Sequence, residues 1–302
     1  MAKFPLLSHN TVCINNEFWG EITSTIDWCE INYRISVYIC EFFNTLSSLC
    51  IILVAIGSYV LHRRIMTLSF QISHVLLVTV GIGSVAFHMS LKHHAQMMDE
   101  LPMLWFVLSI LYIILRRRSK HLVLLYNTLA ALLITCYGIL STVLIITATS
   151  QELQVFWFYL TFISTGFVSV LVYLCQWWWC STTNVKTNIY NNKLPNHNIL
   201  LSPYSCKTLM LREKTIVTGV SCGLGAILCW LIDTHFCELM QKLPLNPQLH
   251  AWWHILIAIG VYCLMTLVFL RATAPSSKML LLNRCIPYVA LRTKKHYLSS
   301  SV

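Results

Sequence analysis

Seven stretches of this chain are long and apolar enough to cross a bilayer, and nothing else in the sequence constrains its fold as tightly. They run Val37–Leu61, Ser69–His88, Gln96–Leu115, Leu122–Thr147, Leu153–Trp179, Thr215–Phe236 and His250–Leu270. A hydrocarbon core of roughly 30 Å needs about 17 to 25 helical residues to span. With no water to pair with backbone N–H and C=O groups, segments of this length must become helices. The expected fold class is therefore all-α integral membrane, a seven-transmembrane helix bundle. Composition agrees: 57% of the 302 residues are hydrophobic and 11% are charged, and mean hydropathy is +0.66. A soluble domain carries about 25% charged residues, so this chain cannot wet a soluble surface. Disorder, coiled coil, collagen and a small disulfide scaffold are excluded on the same grounds.

The formal net charge of +10 invites a nucleic-acid reading, which its placement removes. Seventeen of the 21 Lys and Arg residues fall in four places: Arg63–Arg64, Arg116–Lys120, the stretch from Lys186 to Lys214, and everything from Arg271 onward. Each cluster follows an odd-numbered apolar stretch, so with seven spans all four share one face. Six or eight spans would scatter them over both faces. Basic loops mark the cytoplasmic side, which predicts a luminal N-terminus and a cytoplasmic C-terminus. The predicted organisation is a luminal N-terminal segment (1–36), a transmembrane domain (37–271) and a basic cytoplasmic tail (272–302). An Asn-rich, mobile cytoplasmic loop over 180–212 interrupts the domain. In the tail, LLLNRCIPYVAL reads either as an interfacial stretch or as solvated chain. No basic n-region followed by an apolar run opens the sequence, so no cleavable signal peptide is expected.

Ionisable side chains at membrane depth are costly and mark functional sites. Three groups stand out: Ser84 and His88 in GIGSVAFH, Asp99 in HHAQMMDELPMLW, and His250 and His254 in HAWWH. Ser84/His88 and His250/His254 are each four residues apart and so share a helix face. The second span runs outward, which puts His88 at its luminal end and Ser84 about 6 Å deeper. The third and seventh run inward, so Asp99, His250 and His254 sit in luminal turns at similar depth. Three imidazoles with an open fourth position suit a catalytic zinc. The residues alone leave two accounts open, since HxxxH lacks the Glu of HExxH and interfacial histidines are common. His93 and His94 are spare candidates whose position suggests solvation.

Acidic residues gather as well: five of the 11 lie between Glu17 and Glu41. Asp27, Glu30, Asn32 and Glu41 offer the hard oxygen donors that Ca²⁺ takes six to eight at a time, though without an EF-hand loop. The residues by themselves favour the plainer account of an acidic stretch with Glu41 near a helix N-terminus.

Several of these blocks together resemble the alkaline ceramidases: EFWGEITSTIDWCEINY (Glu17–Tyr33), EFFNTLS (Glu41–Ser47), GIGSVAFHMSLKHHAQMMDELPMLW (Gly81–Trp105), WLIDTHFCE (Trp230–Glu238) and HAWWHILIAIGVY (His250–Tyr262). The resemblance implies zinc ligands at His88, His250 and His254, and catalytic roles for Ser84 and Asp99. It implies a calcium site of Asp27, Trp28 (through its carbonyl), Glu30, Asn32 and Glu41. It also implies a luminal Cys29–Cys237 disulfide. Cys13 is left unpaired by that scheme, and an odd total of 13 cysteines leaves at least one thiol over. The implied activity is zinc-dependent hydrolysis of the ceramide or phytoceramide amide bond in sphingolipid metabolism. Asp99 would handle the proton and Ser84 would support the oxyanion rather than act as nucleophile. The substrate is a membrane lipid, and nucleic acid is no partner. The expected location is the endoplasmic reticulum or Golgi membrane, and LRTKKHYLSSSV holds no retention motif to separate the two. The alternative is a seven-transmembrane receptor of the adiponectin or progestin type, which shares the Ser/His, Asp and HxxxH arrangement. A G-protein-coupled receptor is disfavoured by LRRRSK where DRY would stand and by the lack of NPxxY in the seventh span. The clustering of charge at one end argues against a transporter, whose site lies at the midplane.

Overall fold

A computed structural model of the chain describes residues 18–116, 123–191, 206–273, 277–282 and 286–291. Its helices are α1 (Phe42–His62), α2 (Leu68–Ser90), α3 (His93–Leu115), α4 (Val123–Ile146), α5 (Gln151–Asn191), α6 (Cys206–His235), α7 (Cys237–Gln241) and α8 (Leu249–Thr273). A single 3-10 turn, Arg63–Ile65, follows α1, and two short strands, β1 (Ser277–Leu282) and β2 (Ile286–Leu291), close the described chain. All but α7 of the helices are long and apolar enough to cross a membrane. The chain is thus an all-α, seven-helix membrane protein.

α1, α2, α3 and α8 form the inner layer, with α1 packed on α2 and α8, and α3 on α2. α6 leans on α8, while α4 and α5 cover α3. The outer helices turn leucine and valine outward: Leu124, Leu132, Leu133 and Leu140 on α4, and Val217, Leu224 and Leu228 on α6. An apolar belt of this extent is untenable in water and suits acyl chains.

Two glycines set how closely the inner helices meet. A Cβ on Gly81 would lie 2.5 Å from Ile52 of α1. One on Gly83 would lie 2.2 Å from the backbone oxygen of Met98 in α3. Only hydrogen fits there, so α3 is held against α2 backbone to backbone.

The structure departs from the sequence expectations in three places. The first span begins at Phe42 rather than Val37, because residues 37–41 are fixed outside the helix. Cys40 and Glu41 donate their N–H groups to the carbonyls of Met89 and His88, at 3.0 Å each. α5 remains helical to Asn191 and α6 begins at Cys206. The expected 180–212 loop is therefore partly helix, and the rest of it lies outside the described residues, as does Cys13. In the tail, LLLNRCIPYVAL contributes strand at residues 280–282 and 286–291, which neither expectation included. β1 and β2 pair antiparallel with Met279 opposite Val289, and both of these side chains are buried in the bundle core. His62 Nε2 accepts the Val289 N–H at 3.2 Å, and the Tyr262 hydroxyl donates to the Pro287 carbonyl at 2.6 Å. The hairpin thus caps the end of the bundle remote from His88.

Candidate functional site

α2 carries Ser84 and His88 on one face and stops two residues past His88. Leu91 adopts the left-handed conformation (φ 48°) and returns its N–H to Phe87 at 2.7 Å. Its side chain is fully buried, and its carbonyl accepts the N–H groups of Thr23 and Ser24 at 3.1 and 3.0 Å. The segment before α1 is thereby laid across the ends of α2 and α3.

His88, His250 and His254 converge with one ring nitrogen from each, all within 4.8 Å of one another and all buried. Among the described residues this is the one such group of three histidine, cysteine or acidic side chains. Neighbours decide which nitrogens remain available. His88 Nδ1 donates to Glu41 Oε2 at 2.5 Å. Ser47 spends its own proton on the Asn44 carbonyl (3.1 Å), so His254 Nδ1 donates to Ser47 Oγ at 2.9 Å. Both tautomers leave an Nε2 lone pair, the form in which imidazole binds metals, and a carboxylate behind the ring strengthens it as a ligand. His250 Nδ1 is buried with no hydrogen-bond partner. Its ring is instead stacked on Trp28 with centroids 3.6 Å apart. A buried set of three imidazole nitrogen donors fits a metal ion, and these three residues could hold one.

Ser84 lies within this group. Its hydroxyl is 3.0 Å from Ser48 Oγ and 3.4 Å from His254 Nε2, and it faces the Asp99 carboxyl. The Gly83 approach places Asp99 there, since the backbone it touches is that of Met98 and Asp99. All five residues expected at the site are therefore brought together, whereas His93 and His94 are exposed and stand apart. Asn44, Ser47 and Ser48 were not anticipated as parts of it. Their signal was present as three polar residues within seven of the start of an apolar span.

The acidic residues gather nearby without forming a comparable triad of close oxygens. Glu30 accepts the N–H groups of Phe43 and Asn44 at 2.8 and 2.9 Å, two of the unpaired donors at the α1 N-terminus. Burial nevertheless pushes its carboxyl up to about 7. Glu41 accepts the Trp28 N–H at 3.0 Å and the Asn44 amide at 3.1 Å, and burial pushes it up to about 8. Asn32 donates its amide to both oxygens of Asp27 at 3.2 Å, which leaves its own buried Oδ1 without a partner. Glu30, Glu41 and Asp233 repel one another electrostatically, and no Lys or Arg pairs with them among the described residues. Such a group of acids fits a bound cation. Beside it Cys29 and Cys237 form the expected disulfide, with Cα atoms 5.2 Å apart.

Comparison with known proteins reaches the same region of sequence space. The family model described as Ceramidase matches residues 20–286. The chain is 32% identical to "Alkaline ceramidase" of Arabidopsis thaliana, an alignment covering 93% of this chain and 97% of that one. It is 29% identical to "Alkaline ceramidase 3" of Mus musculus, covering 81% and 82% of the two chains. It is also 29% identical to "Alkaline ceramidase YPC1" of Saccharomyces cerevisiae, covering 81% and 75%. With the match running from the segment before α1 to the start of β2, and so across the whole site, this chain belongs to the ceramidase family.

Proposed function

We propose that this protein hydrolyses the amide bond of ceramides, releasing a sphingoid base and a fatty acid, with zinc held by His88, His250 and His254. The observation that carries the reading is the convergence of three buried imidazoles with Ser84 and Asp99, in a chain of the ceramidase family. Three neutral nitrogen donors suit zinc. When bound, the ion supplies a Lewis acid that polarises the amide carbonyl and renders water acidic near neutral pH. Asp99 takes the proton from the attacking water and returns it to the leaving nitrogen, so the sphingoid base departs as an amine. Ser84 donates its hydroxyl hydrogen bond to the oxyanion that develops on the carbonyl. Glu41 and Ser47 keep two imidazoles in the ligating tautomer.

The basic clusters support a topology with the site end of the bundle luminal and the C-terminus cytoplasmic, and the reading assigns the protein to the endoplasmic reticulum or Golgi membrane. A ceramide or phytoceramide would keep its chains among the helices and present its amide near headgroup level. Asp27, the Trp28 carbonyl, Glu30, Asn32 and Glu41 would bind calcium, whose preference is for oxygen donors. The orphaned Asn32 Oδ1 and the uncompensated buried acids support that assignment. The receptor alternative is not favoured, since the relatives reported above are ceramidases by name along nearly the whole chain. The test is His250→Ala: it should lose zinc and sphingoid-base release together while its helical content and Cys29–Cys237 bond persist. A variant that loses zinc and keeps wild-type activity would refute the zinc mechanism.

A further inference from the structure

His250 poses a problem that its two partner histidines do not. His88 and His254 each have Nδ1 fixed by a side-chain acceptor, but His250 Nδ1 has none. Something other than a hydrogen bond to the ring must hold it. The ring stacks with two indoles, Trp28 with centroids 3.6 Å away and Trp253 at 5.2 Å. Trp253 shares the helix of His250, whereas Trp28 comes from the segment before α1 and must itself be anchored.

The anchor is a buried acid on α6. Asp233 is 4% exposed, in an otherwise apolar span, with no basic partner among the described residues. An unpaired acid in such a place is costly unless backbone donors satisfy it. Its Oδ2 accepts the N–H of Cys29 at 3.2 Å, and the backbone N–H of His250 faces the same carboxyl. α8 begins at Leu249, so that N–H is one of the first four of the helix, which have no intrahelical acceptor and attract negative charge. Cys29 is held on its other sides too. Its carbonyl accepts the Asn246 amide at 3.1 Å, and its sulfur is bonded to Cys237 just past the end of α6. One residue earlier, the Trp28 N–H is fixed on Glu41 Oε1, whose other oxygen holds His88. The Trp28–Cys29 dipeptide is thus stretched between two acids, one touching each of two candidate ligands.

We propose that Asp233 is a positioning residue for the metal centre. It fixes the backbone of His250 directly and its ring indirectly, by holding Cys29 so that Trp28 stays stacked on the imidazole. The inference rests on the reading of the three histidines as metal ligands. It accounts for an intramembrane acid that the hydrolytic mechanism does not use.

The experiment uses the full chain in detergent. Zinc affinity is measured by competition with a chromogenic chelator for wild type, Asp233→Asn and Trp28→Ala, with helical content and the Cys29–Cys237 bond followed in each. Asparagine retains one acceptor oxygen and a similar shape but cannot serve two N–H groups equally. Folded Asp233→Asn should bind zinc ~10- to 100-fold more weakly, the usual effect of losing a residue that orients a ligand. Trp28→Ala should shift affinity in the same direction, and it decides the matter if Asp233→Asn does not fold. A folded variant with a lowered melting temperature but zinc affinity within twofold of wild type would overturn the proposal, because Asp233 would then serve stability alone. Wild type that binds no zinc would instead overturn the metal reading, and this inference with it.

Discussion

Replacing Gly83 with alanine should damage catalysis through a displacement that the structure lets one estimate. The added methyl would sit 2.2 Å from the Met98 oxygen, 2.4 Å from the Met98 carbonyl carbon and 2.6 Å from the Asp99 nitrogen. All three are backbone atoms, so no rotamer change can relieve the clash. Ordinary contact needs about 3.5 Å, so α3 must retreat from α2 by roughly 1 Å. Overpacking of this kind costs about 1–3 kcal/mol. The retreat falls on Asp99 itself and separates it from Ser84, the residue next to Gly83. A misplacement of about 1 Å between reacting groups costs on the order of 100-fold in rate. The candidate zinc ligands lie on α2 and α8, so zinc binding should survive. The assay measures kcat for sphingoid-base release beside zinc content and thermal midpoint. Gly57→Ala in α1, whose Cβ would meet nothing within 4 Å, serves as control and should be neutral or stabilised by about 0.5–1 kcal/mol. If folded Gly83→Ala turns over at the wild-type rate, the placement of Asp99 by this glycine is wrong.

Three further outcomes are expected. Cys29→Ser should abolish the mobility difference between reducing and non-reducing gels and lower stability by about 2–5 kcal/mol, and unchanged mobility would count against the bond in the purified protein. With no cation bound, Glu30 and Glu41 are held above the usual carboxylate range, so folding takes up protons there and that stabilisation is lost as pH rises through about 7 and about 8. The calcium-free midpoint should therefore fall between pH 6 and 9, with calcium restoring most at the high end in wild type and little in Glu41→Ala, and an equal calcium shift at both pH values would argue against these acids as its site. Met279→Ala should lower the thermal midpoint by about 2–5 kcal/mol of stability while leaving zinc affinity intact, because the hairpin packs at the end of the bundle remote from the site.

The site residues were legible in the sequence because each was anomalous where it stood. His88, Asp99, His250 and His254 are ionisable side chains at the ends of apolar spans, and a fixed topology sends those ends to one depth. Apolar content counted the spans but could not place their ends. Val37 and Ile39 look like the start of α1, although the chain there is tied to the end of α2 by the backbone bonds of Cys40 and Glu41. The hairpin escaped notice because SKMLLL and IPYVAL are too short to span, and their partner surface is assembled from α1, α6 and α8. Asp233 stood in a recognised block, WLIDTHFCE, but its significance depends on N–H groups from residues 29 and 250, which no local pattern brings together. Ser47 and Ser48 were visible as polar residues in a span, yet only packing shows that they face His254 and Ser84.

The most direct test of zinc-dependent ceramide hydrolysis is quantitative lipid analysis of purified protein offered a panel of ceramides, as isolated, after chelation, and after zinc is returned. Sphingoid base and fatty acid should appear in equal amounts, vanish on chelation and return with zinc. Release that survives complete metal removal, or no release from any ceramide, would contradict the account.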